Sequence, residues 1–150
     1  MLDIYGKCPT DEIQNAFKDC VAINYKGFID YSEVKKVLSQ SDFLFHAESF
    51  SDFNIEYVKY GFSTKIADSL MSGRCFFLYA SDLVACTQYM RKYYPKGVAS
   101  NKAEAIKKLT LLIRDLEYRN SYIKDSVAIA QSFHSQGVAT ENFFNILDKL

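Results

Sequence analysis

The chain has 150 residues, the length of one domain, and is long enough to bury a sizeable core. Hydrophobic residues make up 49% and charged ones 24%, a balance that argues against disorder. Lysine plus arginine equals aspartate plus glutamate, 18 each, so net charge gives no pointer to nucleic acid or an anionic membrane surface as a partner.

Targeting and redox signals are sparse. No apolar run is long enough to span a bilayer. The start, "MLDIYGKCP", lacks a positive region followed by an apolar stretch, so no signal peptide is predicted. Cys8, Cys20, Cys75 and Cys86 are widely separated, and only His46 and His134 could join them, which makes a zinc site an unfavoured reading. The cysteines read as reduced thiols of a cytoplasmic protein, three of them in or beside apolar segments where cysteine acts as a small hydrophobe.

Short apolar runs then alternate with amphipathic stretches. The runs are Leu2–Tyr5, Val21–Tyr25, Phe43–Phe45, Cys75–Ala80 and a weak one at Gly97–Ala99. They are too short for helices, continuous rather than alternating, and bounded by Gly, Asp, Ser or Pro, as parallel strands covered on both faces are. Thr10 can cap a helix carrying Ile13 and Phe17. Asp30 can cap one carrying Val34, Val37 and Leu38, with Glu33 placed for a capping box. Ser81 can start another, with Leu83, Val84 and Met90, and Pro95 follows its end. From Asn101 the pattern is helical only: "NKAEAIKKLTLLIRDL", which opens with an Asn-x-x-Glu cap and carries Ile106, Leu109, Leu112 and Ile113 at helical spacing, then "YIKDSVAIAQSF" and "TENFFNILDKL". The predicted fold is α/β: a single Rossmann-like domain over 1–150, with a mostly parallel, doubly wound sheet, flanking helices and a helical C-terminal tail.

Ligands of such sheets sit outside the carboxyl ends of the strands. Two segments draw notice there. The connection "HAESFSDFNIEYVKYGF" from His46 to Phe62 is rich in acids and aromatics, either for function or because its rings pack on the sheet edge. The stretch "YGFSTKIADSLMSGR", residues 60–74, reads as a helix with Ser63 at its N-cap and Gly73 as its stop, with Ile66, Leu70 and Met71 facing inward. The amides of Thr64, Lys65 and Ile66 would then lie at a positive helix end, where a phosphate is favoured by geometry and dipole, and Lys65 adds a full charge. Taken alone, the same residues could be only a cap, a surface acid and a stop.

In order, "LDIYG", "VAINYKGFIDYSEVKKVLSQSDFLFHAES" and "GFSTKIADSLMSGRCFFLYA" resemble the C-terminal, donor-binding half of GT-B glycosyltransferases of the retaining, family-4 type. The tail "AEAIKKLTLLIRDLEYRNSYIKDSVAIAQSF" is similar to that family's closing helices, so the resemblance covers nearly the whole chain. It implies a domain that holds a nucleotide-diphosphate sugar without a metal or other cofactor. Gly61 and Phe62 match the family's Gly-Phe turn, and Asp68 matches the second of two paired glutamates, which accepts hydrogen bonds from the ribose. "STK" is similar to a Pro-Ser/Asn-Lys variant in which the lysine, here Lys65, serves the diphosphate, with Ser63 and Thr64 beside it. Tyr60 stands where the first glutamate would be. The donor-sugar contact that the resemblance implies is therefore vacant unless Glu48 or Glu56, in the long connection, fills it. It names no catalytic residue.

The resemblance also implies pieces that are not in this sequence. They are an acceptor-binding N-terminal domain and a strand bearing the Arg/Lys pair that grips the diphosphate. The expected function is thus the nucleotide-sugar domain of a hexosyltransferase-type enzyme in bacterial polysaccharide or glycolipid synthesis, inactive in isolation. Its expected place is the cytoplasm, with peripheral association at the inner membrane face through the missing half. The alternative is a non-catalytic donor-binding or interaction module completed by a separate acceptor-binding chain. A dehydrogenase-type Rossmann domain lacks support because "YGKCPTDE" holds one glycine and no G-x-G-x-x-G. A hydrolase lacks its G-x-S-x-G elbow. With the presumed central strand absent, strand 2–5 is expected to pair directly with strand 42–46 or to recruit a partner chain.

Overall fold

The computed structural model describes residues 1–7 and 10–149; Cys8 lies outside the described residues. The chain is α/β with parallel strands, flanking helices and a helical C-terminal tail. It divides into two compact units, Met1–Val37 and Leu38–Leu150.

The first unit is one strand–helix–strand turn followed by the start of another helix. Strand β1 (Leu2–Tyr5) pairs in parallel with β2 (Ile23–Gly27), and helix α1 (Asp11–Lys18) makes the crossover. Thr10 caps α1 as its sequence predicts, its Oγ1 accepting from the Ile13 amide at 3.3 Å. Gly27 has φ +76°, a left-handed conformation that glycine adopts without steric cost. The expected direct pairing of strand 2–5 with strand 42–46 is corrected: the ladder partner of β1 is β2, and β3 lies in a separate sheet. A short crossover helix places its two flanking strands side by side, and that local closure decides the pairing. No described side chain of this unit is buried.

The second unit holds the core. Its sheet is β3 (Phe43–Ala47), β4 (Cys75–Tyr79) and β5 (Val98–Ala99) in that order, all parallel. The single sheet expected from the sequence is therefore two sheets, β1-β2 and β3-β4-β5. The central strand reads "CFFLY" because both of its faces are covered; Cys75, Phe76, Phe77 and Leu78 are all buried. Helix α2 (Tyr31–Gln40) leads in, and its Leu38 packs against this core. The long connection after β3 contains a short helix, α3 (Asp52–Val58), before α4 (Thr64–Met71). Helix α5 (Ala85–Tyr93) joins β4 to β5 through the 3₁₀ turn Pro95–Gly97. The tail is α6 (Lys102–Arg114), α7 (Leu116–His134) and α8 (Gln136–Leu147).

Three helix readings need correction. Helix α5 starts at Ala85 rather than Ser81, because Ser81 closes a turn first: its carbonyl accepts from Val84 N and its Oγ from Leu83 N. On α6, Leu112 is buried and Leu109 partly so, but Ile106 and Ile113 are exposed; the inward stripe is Ala105, Leu109 and Leu112. On α4, Ile66 and Leu70 face inward with Ser69, whereas Met71 is 39% exposed. Among the cysteines, Cys75 and Cys86 are buried, as apolar neighbours suggest, and Cys20 is exposed.

The cover over β4 depends on one close approach. The Tyr122 hydroxyl of α7 donates to the Phe76 carbonyl at 2.7 Å, and the bond passes directly beside Gly97. A Cβ at Gly97 would overlap the end of the Tyr122 side chain and lie 2.7 Å from the Phe76 oxygen. Glycine is required here by space rather than by backbone angle.

Candidate functional site

The carboxyl edge of the β3-β4-β5 sheet gathers the segments singled out in the sequence. Glu48 follows directly on β3, its amide bonded to the Tyr79 carbonyl at the end of β4 (3.1 Å). Its carboxylate lies 2.7 Å from His46 Nε2, and both side chains are largely covered. Phe50 packs on Tyr79, ring centres 4.7 Å apart. Of the connection's other aromatics, Phe53, Tyr57 and Tyr60 are exposed, so the rings do not simply pad the sheet edge. Glu56 sits on α3, 69% exposed, paired with Lys59 at 2.7 Å. Between the two glutamates proposed for the vacant sugar contact, Glu48 is at the strand ends and Glu56 points outward into solvent.

Residues 59–62 run along the start of α5. The Lys59 carbonyl accepts the Ala85 amide at 2.8 Å, closing the first turn of α5. Phe62 meets Tyr89 edge-on, 5.1 Å between centres, and stacks on His134 at 6.2 Å. Gly61 has no positive φ, and a Cβ there would meet only ordinary packing at 3.4 Å from the Val58 carbonyl. Tyr60 is 86% exposed and filled by no acid.

Helix α4 starts at the expected place. Ser63 is its N-cap residue in extended conformation, but its hydroxyl makes no capping bond. The Ile66 amide is not free as expected: it bonds the Ser63 carbonyl at 3.0 Å. The first turn is therefore open at Thr64 and Lys65, both exposed. Asp68 lies one turn on and is also exposed, away from the inward face of Ile66, Ser69 and Leu70. An anion at the helix start meets Lys65 and the positive end of the peptide dipoles, and Asp68 can reach hydroxyl groups beside it.

Sequence reasoning missed a second group at this edge. Asp82 follows β4 and Ser100 follows β5; Arg91 of α5 reaches both and Glu104 of α6. Arg91 Nε donates to Asp82 at 2.5 Å, and both terminal nitrogens donate to Glu104 at 2.8 Å. Ser100 Oγ donates to Asp82 at 2.7 Å, and Lys108 pairs with Glu104 at 2.8 Å. The Arg91 guanidinium and the Lys108 ammonium hold the Glu104 carboxyl well below the usual carboxylate range. Asp82 is lowered by the same arginine, with help from Ser100. Asn101 and Glu104 carry the expected cap, the Glu104 amide bonding Asn101 Oδ1 at 2.9 Å, but the Glu104 carboxylate reaches the Ser100 amide rather than the cap residue's own. This network ties β4, β5, α5 and α6 together with its hydrogen bonds satisfied internally.

His134 is the other unanticipated residue. Its Nε2 lies 2.8 Å from the Tyr89 hydroxyl, and burial lowers its pKa. It brings the end of α7 against the Gly61–Phe62 turn. Isolated histidines carry no positional signal, so only the folded chain reveals this contact. No helix among the described residues is long and apolar enough to cross a membrane. No protein-family model and no curated protein matches this sequence.

Proposed function

We propose that the chain is the nucleotide-sugar-binding domain of a GT-B-type retaining glycosyltransferase. The observation that carries the reading is the open first turn of α4, with exposed Thr64, Lys65 and Asp68 delivered by the Gly61–Phe62 turn at the strand ends. The diphosphate lies at the amides of Thr64 and Lys65, the ribose against Asp68, and Glu48 faces the donor sugar. Asp68 is one methylene shorter than a glutamate, so the ribose sits close to the helix or is reached through water. Transfer requires an acceptor held against the donor, because positioning is the larger part of such catalysis.

Calorimetric titration of UDP, GDP and ADP, with uridine, guanosine and adenosine as comparisons, tests it. Each charged hydrogen bond contributes roughly 1.5–3 kcal/mol, which is about ten- to a hundredfold in affinity. Asp68→Asn is expected to weaken nucleoside and nucleotide alike, and Lys65→Ala to weaken only the diphosphates. Binding that neither change alters would make α4 a helix and nothing more.

A further inference from the structure

The opposite, amino edge of the same sheet carries a cavity of about 430 Å³. Asp42 and Phe43 line it where β3 begins, and Gly73 and Arg74 where the chain turns into β4. Its wall is Ile113 from the last turn of α6, with Arg119, Asn120 and Ile123 from the start of α7.

Two arginines, Arg74 and Arg119, line this cavity, and neither is ion-paired with a carboxylate among the described residues. Arg74 donates from Nη2 to the Ser39 carbonyl, which leaves most of its fork unused. The Arg119 guanidinium stands over the Phe43 ring, 5.8 Å from its centre. Both side chains are half-buried, and neither belongs to any of the ion pairs among the described residues. Asp42 lies at the same cavity but makes no ion pair with either, so two cations face one acid and the lining keeps a net positive charge. Arg119 also acts inward. Burial pushes the Cys75 thiol up to about 12, and this guanidinium pulls it the other way.

Half-covered guanidiniums are partly stripped of water; the Ser39 carbonyl and the Phe43 ring repay part of that loss, and an anion would repay the rest. Their planar forks match the oxygens of a phosphate two at a time. Asn120 adds an amide donor, and Ile113, Ile123 and Phe43 supply an apolar wall for whatever the phosphate carries. We propose that this cavity binds the phosphate group of a small phosphate monoester, held by Arg74 and Arg119 with its organic part against Ile113 and Ile123. The site is separate from the start of α4, which lies at the other end of the strands, and the two readings stand or fall independently.

Titration of phenyl phosphate and of inorganic phosphate into the full 150-residue chain, followed by amide chemical shifts, tests this directly. Phenyl phosphate is expected to bind more tightly than inorganic phosphate, with shifts at residues 43, 73–75 and 119–123. Arg119→Gln and Arg74→Gln should each weaken binding about tenfold or more, since ~1.4 kcal/mol is a factor of ten. Arg119→Lys keeps the charge over Phe43 and the fold but loses the fork, so it should bind with intermediate affinity. Lys65→Ala should leave the shifts at residues 43, 73–75 and 119–123 and their midpoint unchanged, which separates this site from a phosphate at α4. The proposal is overturned by absence of saturable binding at millimolar phenyl phosphate, by affinity insensitive to both glutamine variants, or by shifts confined to residues 61–68.

Discussion

Gly97→Ala is the substitution whose cost is most directly visible. The new methyl overlaps the end of Tyr122 and lies 2.7 Å from the Phe76 carbonyl. Tyr122 cannot swing into solvent, being buried, and Phe76 O belongs to the central strand. Overpacking costs about 1–3 kcal/mol, and stranding a buried carbonyl by displacing the Tyr122 hydroxyl costs about 1–3 kcal/mol more. The expected loss is roughly 4 kcal/mol, a large share of the ~5–15 kcal/mol that holds a domain together. At about 2–4 °C per kcal/mol for a chain of this size, the melting temperature should fall by roughly 8–16 °C. Urea unfolding followed by circular dichroism measures the loss. Tyr122→Phe alone, which deletes only the hydroxyl, should cost about 1–3 kcal/mol, the part of the loss due to the stranded carbonyl. In a Tyr122→Ala background the alanine at 97 should cost less, because only the Phe76 oxygen remains in its way, and the coupling should exceed ~1 kcal/mol. A loss below about 1 kcal/mol, or an equal loss in both backgrounds, would refute the close approach.

The charged network yields two more expectations. Breaking a buried ion pair costs about 3–5 kcal/mol, and with the Arg91 side chain 35% exposed the screened figure for Arg91→Met is about 2–3 kcal/mol, read as a shifted urea midpoint. Stability should also depend on pH in two windows. Glu104 and Asp82 are depressed in the fold, so their contribution is full above the unfolded values near pH ~4 and is lost as pH falls further; Glu104→Gln should flatten that limb. His134 is depressed by burial, so the unfolded chain binds its proton first and stability should begin to fall below pH ~6.5, a step that His134→Gln removes.

The strands were legible because continuous apolar runs of this length have few other uses. "CFFLY" could hardly be anything but a covered central strand, and it is one. Caps at Thr10 and Asn101 were legible because they are local hydrogen bonds between residues three apart. Partner choice was not. Whether Leu2–Tyr5 pairs with one strand or another depends on closure of the intervening segment, which no run of residues records. The face a helix buries was half legible. Ile106 and Ile113 share the period of Leu109 and Leu112, yet the sheet and α7 cover only part of α6. At the candidate site, the Gly-Phe turn and the α4 start were readable as a contiguous motif. Arg91 was not, since Asp82, Ser100 and Glu104 reach it from three other segments.

The fate of the arginines separates the two ends of the sheet. Arg91 engages all three nitrogens of its fork with two carboxylates and a serine hydroxyl, and such a guanidinium has little left to offer a ligand. Its role is to brace α5 and α6 beside the carboxyl edge, leaving that edge's free charge to Lys65 and its free acceptors to Asp68. Arg74 and Arg119, at the amino edge, are as sheltered as Arg91 is but lack its carboxylates. A sheltered cation without a counter-charge is costly to a folded chain; the Ser39 carbonyl and the Phe43 ring meet part of that cost at Arg74 and Arg119, and an anion in their cavity would meet the rest. The same criterion leaves Lys59 out of any site, because Glu56 already occupies it.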